Sequence, residues 1–241
     1  LPRALAIITN ANIIKKKISF FYGVLEEKIF IINHQPSNSI NSFKIVDKIE
    51  QQKIRKSFKL PKNYIFYPSM YLPHKNHRTL IDALKILKEK FKIDIKMVFC
   101  GNDVGYLNNL KKYTKKNNLD DSIYFLDFVD NAYLPYLYLD ALALVMPTLM
   151  GPTNIPPWEA FKMKVPVIYS ELEGIKEVLG DAVYYINPLK SESIANGIKE
   201  IFENTELRNN FVKQGLSKLE EINAKNEFNI FFEIIKKYKN N

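Results

Sequence analysis

From Tyr64 onward the chain alternates short, mostly unbroken apolar runs with longer stretches whose apolar residues fall three or four apart. The runs are Tyr64–Tyr67, Lys96–Cys100, Ile123–Phe128, Ala141–Met146, Val165–Ser170 and Ala182–Ile186. Runs of this length without polar alternation predict strands covered on both faces, as in a parallel sheet. Between them the period becomes helical. Leu80, Ala83, Leu84 and Leu87 mark one amphipathic helix, and a polar helix runs to about Asn118. Ala132–Leu139, a short stretch after Gly151–Phe161, Ile175–Leu179, Ser191–Phe202 and Glu206–Ile222 are predicted helices, with Ser191 or Ser193 as a cap. Repeated strand–helix alternation predicts an α/β fold, a doubly wound parallel sheet lying between about Leu60 and Ile222.

The N-terminal stretch reads differently. Leu5–Thr9, Ile13–Phe21 and Lys28–Asn33 form a strand–helix–strand unit of about 30 residues, too small to stand alone. His34–Ser42 is polar, contains Pro36 and reads as a linker, and Phe43–Phe58 as a charged helix. The final helix, Glu227–Tyr238, carries Phe228, Phe231, Phe232, Ile235 and Tyr238, an apolar face that either packs across the domain or reaches back to the N-terminal unit. Three segments follow: 1–42, 43–223 and 224–241. The chain opens at Leu1 rather than Met and is read as a piece of something longer.

Composition narrows the classes. Apolar residues at 46% and charged residues at 25% are globular values. A net charge of +9 fits an anionic partner, but the lysines are scattered at helix-face spacings and no basic and aromatic residues interleave on one element, so no nucleic acid is expected. Cys100 alone excludes an internal disulfide and sits in a core run. The apolar tract Tyr133–Met150 is broken by Pro135, Asp140 and Pro147, against a membrane span. No signal peptide is visible, and a reducing compartment fits: the cytoplasm, with a peripheral place at the inner face of the membrane left open.

Candidate chemistry centres on Gly151–Phe161, between two predicted strands. Pro156 and Pro157 suit a helix start, which would place a helix N-terminus at the carboxyl end of a strand, a setting that favours phosphate. Glu159 stands one turn in, as a site carboxylate or merely a dipole partner. Lys75 lies in another strand-to-helix loop, where a cation meets a diphosphate or is simply solvated. Asn102 after Gly101 permits close backbone approach, which a plain tight turn explains nearly as well. Trp158 reads as core, and His74 and His77 as capping or surface residues. Gly101 and Gly105 do not make a dinucleotide fingerprint, and three histidines with one cysteine offer no metal set.

Taken together, Pro-His-Lys-Asn-His at 73–77, Gly-Pro-Thr-Asn-Ile-Pro-Pro-Trp-Glu-Ala at 151–160, Val165–Ile168, Gly174–Val178 and Gly180–Ala182 resemble the C-terminal half of family 4 (group 1) glycosyltransferases of the GT-B fold. The resemblance implies a Rossmann-like donor domain for a nucleoside diphosphate sugar of UDP or GDP type, with neither cofactor nor metal. It implies Lys75 at the diphosphate, Glu159 at the ribose hydroxyls, backbone N–H groups of Thr153, Asn154 and Ile155 at phosphate and sugar, and Phe128 and Val129 along the base. Lys75 and Glu159 are the catalytic candidates, and Gly101, Asn102 and Gly151 join the donor-binding set. The family has glutamates eight positions apart and an arginine five before the lysine; Gly151 and Met70 occupy those places, leaving one sugar contact and one cation fewer.

The expected activity is retaining sugar transfer to a glycan or lipid-linked acceptor, by a hexosyltransferase-type enzyme of which this segment supplies the donor site. Residues 1–42 would be the remnant of the acceptor domain and its linker. The alternatives are a nucleotide-sugar-binding module without turnover and a GT-B epimerase.

Overall fold

The computed structural model describes residues 3–44, 48–151, 154–224 and 227–239. The chain starts with β1 (Ile7–Thr9), α1 (Asn12–Tyr22) and β2 (Ile29–Ile31), the two strands pairing in parallel as a small separate sheet. A four-residue helix, α2 (Asn38–Asn41), interrupts the stretch read as linker, closed by Ser37 and Asn38 carbonyls. Then come α3 (Lys48–Ser57), β3 (Tyr64–Pro68), α4 (His77–Glu89), β4 (Lys96–Cys100) and α5 (Leu107–Lys116). Next are β5 (Ile123–Leu126), α6 (Leu134–Leu139), β6 (Ala141–Met146), α7 (Pro156–Lys162), β7 (Val167–Ser170) and α8 (Ile175–Leu179). β8 (Tyr184–Ile186), α9 (Ser191–Glu203), α10 (Thr205–Ala224) and α11 (Glu227–Lys239) complete the order.

The six strands from β3 to β8 form one all-parallel sheet in the order β5-β4-β3-β6-β7-β8. β3 is central, and Tyr64, Ile65, Phe66 and Tyr67 are fully buried, which is why their run shows no alternation. The chain moves outward from β3 to β5, then returns to the opposite side of β3 with β6. That reversal makes the β3/β6 boundary a topological switch point, the place where open α/β sheets bind ligands at their carboxyl ends. The amphipathic helices cover the sheet as their spacing predicts: Leu80, Ala83, Leu84 and Leu87 of α4 are buried, as are Ile194, Ala195, Ile198 and Ile201 of α9.

Several boundaries move. β5 stops at Leu126, leaving Asp127 and Phe128 in a loop; β7 starts at Val167, after Pro166, and β8 at Tyr184. The helix predicted from Phe43 is seen from Lys48, residues 45–47 lying outside the described set. On α11 Ile234 is buried, whereas Phe231 and Ile235 are 41% and 43% exposed. The ammonium of Lys237 on that helix lies 5.7 Å from the Phe30 ring centre of β2. α1 meets the sheet domain at α8: the Asn12 amide and side chain donate to Glu177 at 2.7 and 2.6 Å, and Lys17 pairs with Glu173. These are exposed contacts, each contributing at most about 1 kcal/mol.

Candidate functional site

The loops leaving β3 and β6 meet over the switch point. Beyond Pro68, Ser69 N–H donates to the Cys100 carbonyl at 2.8 Å and Tyr71 N–H to that of Asn102 at 3.1 Å, laying the β3 loop across the end of β4. Gly101 makes this possible. A Cβ there would fall 2.3 Å from the Ser69 carbonyl oxygen, closer than real Cβ contacts come, and Ser69 is already held by its own bond. We expect Gly101→Ala to cost about 3 kcal/mol of stability, at the upper end for overpacking; urea melts unchanged from wild type would refute the close-approach role.

The β3 loop then makes a 3-10 turn, Pro73–Lys75, ending at Asn76 in the left-handed conformation with φ 61°. Asn76 is buried and ties three loops: its amide donates to the Pro147 carbonyl at 2.9 Å and the Pro188 carbonyl at 2.8 Å, while its oxygen accepts from Thr79 at 2.6 Å. The His74 carbonyl accepts from the Leu149 amide at 2.8 Å and Thr148 Oγ1 at 3.3 Å. Tyr67 donates to the Lys75 carbonyl at 2.9 Å. These bonds carry Lys75 to the β6 loop, where its Nζ lies 3.4 Å from Asn154 Oδ1. Asn154 is itself held: its amide donates to the Gly151 carbonyl at 2.8 Å and meets Tyr169 Oη, which donates to the same carbonyl at 3.1 Å.

No carboxylate pairs with Lys75 among the described residues, and partial burial alone lowers its pKa. A half-desolvated cation without a counter-charge attracts an anion strongly. Gly151 has φ +84°, where L side chains are strained, so the backbone at the position expected to hold a carboxylate suits glycine. Thr153, with Pro152, lies outside the described residues. At the start of α7, Pro156 and Pro157 have no N–H, and those of Trp158 and Glu159 turn inward to the Ile155 carbonyl at 3.0 and 3.3 Å. The helix start is therefore poorer in free donors than its position suggests; among the described residues the Asn154 and Ile155 N–H groups have no acceptor.

Glu159 lies deeper than a carboxylate at a site mouth. It is 4% exposed, and its Oε2 accepts from Tyr138 of α6 at 3.0 Å. His77 is not a capping or surface residue either. It is fully buried, its ring 4.8 Å from Tyr67, 5.3 Å from Tyr71 and 5.2 Å from Phe99 between centres. Neither ring nitrogen has a hydrogen-bond partner among the described residues, and burial, reinforced by the charge of Lys75, depresses its pKa to about 3.

The sequence candidates thus divide. Lys75, Asn154 and Gly151 come together at the switch point. Gly101 lies directly under the β3 loop, and the Asn102 carbonyl accepts from that loop's Tyr71 N–H. Phe128 stands 63% exposed beyond β5 and Val129 beside it is buried. Trp158 is core, edge-on to Phe161 at 5.7 Å. Asn76, Tyr138 and Tyr169 were missed; only Asn76, inside the 73–77 motif, carried a sequence signal. Surface concavities of about 400 Å³ along α5 and about 510 Å³ at the start of α10 include none of these residues. Among the described residues no group of three or more His, Cys, Asp or Glu is placed to hold a metal ion, and no helix is long and apolar enough to cross a membrane.

A central strand flanked by a returning crossover, with a lysine and a fixed turn over the switch point, defines the class: a doubly wound, Rossmann-like α/β domain. The profile of the family described as "Glycosyl transferases group 1" matches residues 48–218, and the chain belongs to that family. It is 30% identical over 195 residues to the O-antigen chain mannosyltransferase RfbU of Salmonella typhimurium, covering 81% of this chain and 50% of that protein. The chain spans about half the length of the curated relatives it matches first. Among solved structures it is similar to a glycosyltransferase from Rickettsia africae (TM-score 0.78, 20% identity, 96% of this chain and 64% of that one). It is also similar to Anabaena HepE, solved in complex with UDP and glucose (TM-score 0.74, 20% identity, 92% of this chain and 62% of that one). These structures establish the GT-B glycosyltransferase fold for the sheet domain.

Proposed function

We propose that the chain supplies the donor site of a retaining, metal-independent glycosyltransferase, which moves a hexose from a nucleoside diphosphate sugar to a hydroxyl of a glycan or lipid-linked acceptor. The observation that carries this is the half-buried ammonium of Lys75, which meets no carboxylate among the described residues and is held at the β3/β6 switch point beside the turn before α7. There it would neutralise the diphosphate, with the N–H groups of Asn154 and Ile155 and the residue Thr153 completing the phosphate and sugar contacts. Glu159 would take the ribose hydroxyls, and Phe128 with Val129 the base. Charge develops on the leaving diphosphate during transfer, so a fixed cation there stabilises the transition state more than the ground state. Residues 1–42 would belong to an acceptor-binding domain, with 224–241 packing back toward it. Retention and metal independence rest on the family resemblance.

Calorimetric titration with UDP and with GDP tests the donor site, and product analysis with donor and acceptor tests transfer. Saturable binding of one nucleotide, together with a glycosylated product of retained anomeric configuration, is the expected outcome. Binding without transfer would favour a nucleotide-sugar-binding module, the reading that Gly151 in place of a carboxylate supports. An altered donor sugar without acceptor would favour an epimerase.

A further inference from the structure

We infer that Tyr138 is a positioning residue for the donor nucleoside: it holds one oxygen of Glu159 so that the other faces the ribose hydroxyls. This rests on the donor-site reading above. The Tyr138 hydroxyl donates to Glu159 Oε2 at 3.0 Å, whereas Oε1 has no protein partner among the described residues. A planar carboxylate fixed at one oxygen has its remaining lone pairs fixed in direction, and a single oxygen can accept from two vicinal hydroxyls.

Tyr138 is placed to impose that orientation. Its side chain is fully buried, with its ring edge-on to Phe66 of the central strand at 5.0 Å. The preceding residue, Leu137, gives its carbonyl to the Tyr64 hydroxyl at 2.6 Å, pinning α6 to β3. Among the described residues the one other acceptor near the Tyr138 hydroxyl is the Pro156 carbonyl, at 3.5 Å, a marginal distance. Burial, then the charge of Glu159, pushes the thiol of Cys100 on β4 up to about 12, so it stays neutral. Burial and the same charge raise the Tyr138 phenol well above its ordinary value, which keeps it a donor. A neutral donor orients the carboxylate without cancelling its charge, as a lysine or arginine would, so the free oxygen remains a strong acceptor.

The test is discrimination between ribose and deoxyribose. UDP and 2′-deoxy-UDP (GDP and 2′-deoxy-GDP if the chain prefers guanine) are titrated into wild type, Tyr138→Phe and Glu159→Gln, with melting temperatures recorded. Wild type should prefer the ribonucleotide by about tenfold, the range for a hydrogen bond to a charged group. Tyr138→Phe should cut that preference to about twofold, and the double variant should lose no more than Glu159→Gln alone. A merely structural role for Tyr138 would weaken both nucleotides equally and leave the preference intact, which overturns the inference but not the donor site. Wild type that binds neither nucleotide overturns both. Should Tyr138→Phe fail to fold, Glu159→Asp, which draws the carboxylate away from Tyr138, should show the same loss of preference; an unchanged preference there overturns the inference.

Discussion

Lys75→Ala is expected to weaken nucleoside diphosphate binding by about a hundredfold while leaving the melting temperature within a few degrees of wild type. A hydrogen bond to a charged group contributes about 1.5–3 kcal/mol, and Met70 stands where the family resemblance expected a second cation. The fold tolerates the loss because Asn154 keeps its bonds to Gly151 and Tyr169 when the ammonium goes. Lys75→Arg should rescue only partly, because a planar guanidinium needs a different geometry from a compact ammonium. The pH profile supplies an independent check. The protonated form binds the anion and burial lowers the Lys75 pKa, so wild-type affinity should fall with rising pH before the ordinary lysine value of 10.5 is reached. The alanine variant should lack that alkaline decline. Equal nucleotide affinity in wild type and Lys75→Ala would remove Lys75 from the site.

The second large effect concerns stability in acid. His77 has a pKa of about 3 in the folded chain against 6.5 when free. Below pH 6.5 the unfolded chain takes up a proton that the folded chain refuses until about pH 3, so stability present above the upper value is lost as pH falls across that window. At about 1.4 kcal/mol per pKa unit, complete titration removes several kcal/mol, enough to unfold a marginal domain. His77→Phe should keep the aromatic packing against Tyr67, Tyr71 and Phe99, remove two unpartnered ring nitrogens, and be at least as stable as wild type at neutral pH. Urea melts of the two proteins from neutral to acidic pH should diverge, with the histidine protein losing stability faster. Parallel curves would show that His77 does not carry the acid sensitivity.

Both predictions depend on features of unequal legibility. The 73–77 motif announced Lys75, but the same five residues gave no hint that His77 points inward while Lys75 stays half-exposed. A histidine opening an amphipathic helix resembles a cap or a surface residue until the rings of β3, β4 and the following loop are seen around it. Glu159 likewise announced itself by its position at a helix start. Its burial against Tyr138 was unreadable, because Tyr138 lies within an apolar helix where a tyrosine resembles any other core ring. Gly151 was legible as a departure; its positive φ gave the departure a backbone reason.

The sequence by itself determined the alternation of strands and helices, the buried character of the sheet and the two loops proposed to carry the chemistry. Local period and turn chemistry act over a few residues, and those survive without knowledge of the fold. Tertiary structure alone decided which loops became neighbours. The order β5-β4-β3-β6-β7-β8 places β6 beside β3, and with it Asn154 beside Lys75 and Tyr138 beside Glu159. Strand order is set by the packing of whole helices on a twisted sheet and by crossover handedness, and no local pattern records it.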